Sequence, residues 1–255
     1  VISRILEDFS REELIEAVRH IEDKGVIHRD IKPDNIGISG GRGGKLQLVL
    51  FDFSLCRTFN LDEYVSLFPA DPNSYRYYMN HHLFRHVNVD IRNTHLPNGL
   101  ATDLNEECLR YEATIKRSGG IDLQILGIGK AGHIGFNEPL SALHSRTRVK
   151  ALTPTTLKQN SGAFGGEDKM PRRAITMGVG TILECRRCVL LATGDSKAKV
   201  IAQAVEGPIT SMVSATALQL HPRATVIVDE EAASELREKD YYRWIYDNEP
   251  EWQEM

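Results

Sequence analysis

Ile121-Asp122-Leu123-Gln124-Ile125-Leu126-Gly127-Ile128-Gly129-Lys130-Ala131-Gly132-His133-Ile134-Gly135-Phe136-Asn137-Glu138 decides the fold. Residues Ile121–Leu126 read as a buried strand, and the glycines that follow break it. Upstream, Asp103 and Glu106 cap a helix that runs through Ile115 and is stopped by Gly119-Gly120. The order helix, glycine stop, apolar strand, glycine turn belongs to an α/β chain. The rhythm continues downstream. Strands are predicted at Arg148–Leu152, Ala174–Val179, Val189–Thr193 and Thr225–Val228, and helices at Ser196–Val205, Ser211–Leu220 and Glu230–Glu238. Tyr241–Met255 is expected to pack as a short tail helix. The expected architecture is a three-layer, Rossmann-like, mostly parallel sheet covered on both faces.

Bulk properties narrow the function. The chain has 255 residues, 41% of them hydrophobic, and a formal net charge of -4. That charge offers no basic field to nucleic acid. No apolar run approaches the roughly 20 residues of a membrane helix. A start at Val1-Ile2-Ser3-Arg4 without a signal-peptide pattern predicts a cytoplasmic protein and reads as the middle of something longer. Cys185-Arg186-Arg187-Cys188 has CxxC spacing but no accompanying ligand cluster. It reads as two reduced cysteines at a strand start, with no metal site.

The first 56 residues have a different style. A helix is predicted over residues 10–25, capped by Ser10 and Glu13 and ended by Gly25, and a hairpin over residues 36–51 around the Gly40–Gly44 turn. Between them stands His28-Arg29-Asp30-Ile31-Lys32-Pro33-Asp34-Asn35, followed by Phe51-Asp52-Phe53-Ser54. This resembles the catalytic loop of the protein kinase family. The resemblance implies that Asp30 orients a hydroxyl, Lys32 steadies a phosphate, and Asn35 and Asp52 hold magnesium on ATP. The family's glycine-rich loop, β3 lysine and αC glutamate are not in this chain. The expectation is therefore an α+β kinase C-lobe fragment over 1–56 in front of a second domain over 57–255, with magnesium–ATP relevant only to a kinase alternative. An inactive chimera is the other alternative.

The second domain carries a more complete set of motifs. Phe59-Asn60-Leu61-Asp62-Glu63-Tyr64 is followed by Ser74-Tyr75, the stretch Gly127–Pro139, Ser145-Arg146-Thr147-Arg148, Thr176–Thr181, Gly194-Asp195-Ser196-Lys197 and Leu220-His221-Pro222. In this order, residues 57–255 closely resemble the isomerising glucosamine-6-phosphate deaminases. Residue chemistry agrees with such a reaction. Aldose–ketose interconversion needs a base between C1 and C2 and a second group that opens the ring. Asp62 suits the first task and His133 the second, with Glu138 orienting the imidazole. Lys197, at a helix start after a strand, suits a phosphate. His81, His82, His86 and His221 lack ligand spacing and read as structural.

The resemblance implies that Asp62, His133 and Glu138 are catalytic and that Lys197 binds the substrate phosphate. It implies a sugar-phosphate substrate, no cofactor, a homo-oligomer, and an allosteric phosphate site at Ser141, Arg148 and Lys150. Departures stand beside it. Ala131 and Gly162 replace an aspartate and a phosphate-gripping arginine of the family, and Ala142 and Ala151 alter the allosteric neighbourhood. Residues 1–55 stand where the family has an opening βαβ unit with a phosphate-cradling loop. The domain is thus expected to be N-terminally truncated, with weakened phosphate binding and doubtful activity.

Overall fold

The computed structural model describes residues 2–5, 36–40, 46–50 and 56–248. The helix predicted over 10–25 lies outside these residues, as do Asp30, Lys32, Asn35 and Asp52. In chain order the elements are β1 (Ile2–Ile5), β2 (Ile36–Gly40), β3 (Leu46–Leu50), β4 (Thr58–Phe59), β5 (Asp62–Tyr64), α1 (Tyr75–Met79), β6 (Thr94–His95) and α2 (Leu104–Arg117). They continue with β7 (Leu123–Leu126), β8 (Arg148–Ala151), α3 (Pro154–Phe164), β9 (Arg173–Thr176), α4 (Val179–Leu183), β10 (Arg187–Ala192), α5 (Ala198–Glu206), β11 (Ala224–Val228) and α6 (Lys239–Asn248). The chain divides into two compact units.

The first unit comprises residues 1–11, 121–146 and 178–255. Its sheet has the order β1-β11-β10-β7, and every pairing is parallel. Leu190 of β10 and Val226 of β11 are buried, as is Ile201 of α5. This is the parallel sheet that the βα rhythm predicts. One strand was not foreseen. β1 falls in the stretch that the sequence reading set apart as kinase-like, yet it pairs Ile2–Ile5 with Thr225–Val228 of β11. An unpaired strand edge is a template for any extended segment that reaches it. Two predicted helices also differ. Ser214–Leu220 is a 3-10 helix. There Thr216 Oγ1 donates to Val213 O and accepts from Thr210 N, which ties the backbone into tight turns. Residues 230–238 form turns rather than a helix. Asp229 takes the amides of Ala232 and Gly194 on its carboxylate, and i→i+3 bonds follow.

The second unit comprises residues 12–120 and 147–177. Its three-stranded sheet, β5-β9-β8, is antiparallel throughout. Two of the predicted strands, β8 and β9, thus belong to this sheet and not to the parallel one. Periodicity marks a strand without stating the direction of its neighbour. Thr176 ends β9, and Val179, predicted to close that strand, instead begins α4. The 36–51 hairpin is present as the antiparallel pair β2–β3. Helix α2 starts where the sequence places it, with the Asp103 carboxylate accepting from the amides of Asn105 and Glu106. Its Cys108 packs with Val65 of the chain after β5 and Ile175 of β9. Among the described residues, no helix is long and apolar enough to cross a membrane.

Candidate active site

In the first unit, the quoted glycine stretch folds into a tight turn. The Gly129 amide donates to His133 O at 2.8 Å and the Gly132 amide to Gly129 O at 2.9 Å. Gly132 has φ +74°, which a side chain would strain. Gly129 is needed for another reason. A Cβ there would overlap Nε2, Cε1 and Cδ2 of His133, so the imidazole lies against a bare Cα. The chain beyond is clamped by Ser214, whose hydroxyl donates to Asn137 O at 2.8 Å and accepts from the Ile134 amide at 3.3 Å.

His133 Nδ1 stands 3.4 Å from Glu138 Oε2, and Glu138 is only 2% exposed. The approach is an ion-pair distance and not a hydrogen bond, and Nδ1 is buried without a hydrogen-bond partner. Burial pulls the His133 pKa below its ordinary value, the Glu138 carboxylate opposes that, and the Lys197 ammonium adds to it. Net lowering favours a neutral imidazole, the form that can accept a proton. Lys197 itself donates to Ile128 O at 2.5 Å, so it reaches back to the turn that carries His133. It is the N-cap residue of α5, preceded by a 3-10 turn over Asp195–Lys197. Burial, then the neighbouring Lys130 charge, lowers its pKa. The structure therefore brings His133, Glu138 and Lys197 together within one unit.

Asp62 belongs to the second unit, at the start of β5. Its backbone neighbourhood is rigid: the buried Tyr111 hydroxyl donates to Asn60 O at 2.7 Å, and the Met177 amide donates to Leu61 O at 2.7 Å. Asp62 Oδ1 is shut off from solvent and accepts no hydrogen bond. Burial, and then the charge of Glu63, pushes the Asp62 carboxyl up to about 8. Asp62 as a whole is half-buried, and a desolvated carboxylate with spare acceptor capacity is a strong base.

The three residues of the expected allosteric site are divided. Ser141 lies in the first unit, its hydroxyl buried and without a partner. Arg148 and Lys150 lie on β8 of the second, and burial lowers the Arg148 pKa. Cys185 and Cys188 are buried free thiols. The Cys185 thiol donates to Arg187 O at 3.1 Å, and His221 Nε2 lies 2.7 Å from Cys185 O, so both residues knit a strand start. Among the described residues no group of three His, Cys, Asp or Glu side chains is placed to hold a metal. Sequence reasoning missed Glu63 and the steric role of Gly129. The only sequence signal for Glu63 was its position beside another carboxylate.

Comparison with known proteins places the chain in a family. The family model described as glucosamine-6-phosphate isomerases/6-phosphogluconolactonase matches residues 29–228. The match begins inside the stretch read as a kinase loop and runs on through Asp52. A glucosamine-6-phosphate deaminase of Hahella chejuensis is 53% identical over 193 residues, which is 76% of this chain and 74% of that protein. One of Thermoanaerobacter pseudethanolicus is 50% identical over 189 residues, 74% of this chain and 75% of that protein. Among solved structures, a monomeric glucosamine-6-phosphate deaminase aligns with a TM-score of 0.75 and 36% identity, covering 92% of this chain and 100% of that one. A 6-phosphogluconolactonase of Thermotoga maritima, at 17% identity and a TM-score of 0.58, shares the fold.

Proposed function

Since the chain belongs to the glucosamine-6-phosphate isomerase/6-phosphogluconolactonase family, we propose that it converts glucosamine 6-phosphate and water to fructose 6-phosphate and ammonia. The observation that carries this reading is the half-buried Asp62 carboxylate, whose Oδ1 is shut off from solvent and accepts no hydrogen bond and whose proton affinity is raised. Ring opening needs a proton moved from the anomeric hydroxyl to the ring oxygen. The neutral His133 imidazole, oriented by Glu138, suits that transfer. Asp62 then takes the proton from C2 and returns one to C1. The resulting imine adds water and expels ammonia. Each step is a proton transfer or an addition of water, so acid–base groups suffice. Magnesium–ATP and the residues Asp30, Lys32, Asn35 and Asp52 have no part in it.

Lys197 holds the substrate phosphate in this reading. The Lys197→Met variant should raise KM about 10-fold or more, the worth of one charge-assisted contact of roughly 1.5–3 kcal/mol. Steady-state kinetics with glucosamine 6-phosphate checks this, and an unchanged KM would remove Lys197 from the phosphate site. Parallel assays with glucosamine 6-phosphate and 6-phosphogluconolactone test the reaction itself. Ammonia from the first with no hydrolysis of the second is expected, and the reverse would reassign the chain within its family. A phosphorylated sugar substrate agrees with a cytoplasmic place. Sedimentation decides between the homo-oligomer expected from sequence and a monomer like the solved relative.

A further inference from the structure

We propose that Glu63 is a positioning residue for Asp62: it ties the strand that carries Asp62 to the start of helix α1 and keeps a second negative charge beside it. This rests on the deaminase reading only for its kinetic consequence. Glu63 is 4% exposed, and its carboxylate accepts three backbone amides. They are Tyr64 N at 2.8 Å, Tyr75 N at 3.0 Å and Arg76 N at 2.9 Å. Two of these belong to the first turn of α1 and one to β5. One side chain thus joins the strand to a helix that begins eleven residues after β5 ends.

Alternation along a strand sends neighbouring side chains to opposite faces. Glu63 is therefore occupied by backbone and cannot substitute for Asp62 as a base. Its charge nevertheless remains within electrostatic reach. Burial raises the Glu63 pKa above its ordinary value, and the three amide donors and then the Arg76 charge oppose that rise. The nearest guanidinium does not bond to it: Arg76 donates from Nη1 to Thr94 Oγ1 at 2.8 Å and from Nη2 to Thr94 O at 3.1 Å. The other titratable groups that interact with Asp62 are phenols, Tyr64 on β5, Tyr75 on α1 and Tyr111 on α2. Tyr64 and Tyr75 stack at 5.5 Å between ring centres and are themselves locked by the Glu63 bonds. Among the described residues, Glu63 is the carboxylate whose charge acts on Asp62.

The sign of its effect is fixed. An adjacent negative charge disfavours Asp62 ionisation, so removing it moves Asp62 titration to lower pH. The test is carboxyl carbon NMR of the full chain labelled at aspartate, with Asp62→Asn for assignment. In Glu63→Gln, the Asp62 signal should titrate with at least about tenfold lower proton affinity than in the wild type. The acid limb of kcat/KM for ammonia release should move down by the same amount. A purely structural role would lower Tm and leave the Asp62 titration in place, and that outcome overturns the proposal. Glu63→Asp provides a second route, because it keeps the charge but shortens the reach to the amides. Its Asp62 should still titrate high while kcat falls about tenfold. Normal kcat in Glu63→Asp would equally overturn the proposal. Absence of ammonia release with a shifted Asp62 signal would instead remove the deaminase reading and leave the role of Glu63 standing.

Discussion

The Asp62→Asn variant is expected to lose turnover by about 10³-fold and to melt at a higher temperature than the wild type. The first effect is the usual worth of a positioned general base. The second follows from linkage. In the unfolded chain Asp62 loses its proton near the ordinary aspartate value of 3.8, whereas in the folded protein it keeps it until about 8. Between these values the folded state binds more protons, so this residue makes stability fall as pH rises. Each pH unit in the window costs up to about 1.4 kcal/mol. Asparagine cannot ionise and escapes that cost. At pH 7, roughly three units above the unfolded value, the gain reaches up to about 4 kcal/mol, or about 8–16 °C in Tm for a chain of this size. At pH 4 the gain should vanish, because Asp62 is protonated when folded and only half ionised when unfolded. Thermal melts of both proteins from pH 4 to 8 provide the check. A gain independent of pH would mean that the carboxyl is not held in its neutral form by burial.

Gly129→Ala is expected to be nearly silent in stability and severe in catalysis. Gly129 does not have a positive φ, so its backbone accepts alanine. The obstacle is His133, whose ring occupies the place of the new Cβ. A side chain gives way more easily than backbone, so the imidazole will turn and the fold will persist. Displacing a reacting group by about 1 Å can cost 10²-fold in rate. A fall in kcat of about that size is predicted, with Tm changed by only a few degrees. The double variant with His133→Gln should be no slower than His133→Gln alone, because both changes remove the same function. Independent, multiplying losses would show that Gly129 acts through something other than the imidazole.

Much of this site could be read from residue types in order. An acidic residue after a strand, a histidine in a glycine turn, and a lysine at a helix start are local signals, and local signals survive in sequence. The cap at Asp103 and the strands β7, β10 and β11 were legible for the same reason. What sequence could not show depends on which segments meet. β1 pairs with β11 across more than two hundred positions, and no pattern within Ile2–Ile5 names that partner. The antiparallel direction of β8 and β9 is equally non-local. Nothing local in the sequence marks Glu63 as the acceptor of three backbone amides, two of them from a helix that begins eleven residues after β5 ends. Gly129 looked like a turn glycine, although its missing side chain matters for the space it leaves to His133.

In the proposed reaction Asp62 moves a proton from C2 to C1 before ammonia leaves. The most direct measurement is carbon NMR of the products from glucosamine 6-phosphate labelled at C2, together with an ammonia assay on the same sample. Wild-type protein should yield fructose 6-phosphate, with its C2 now a ketone, and one ammonia for each ketose formed. Asp62→Asn should yield neither at a comparable rate. Ammonia accompanied by an aldose phosphate that keeps its hydrogen at C2, or undiminished ketose formation by Asp62→Asn, would contradict the account.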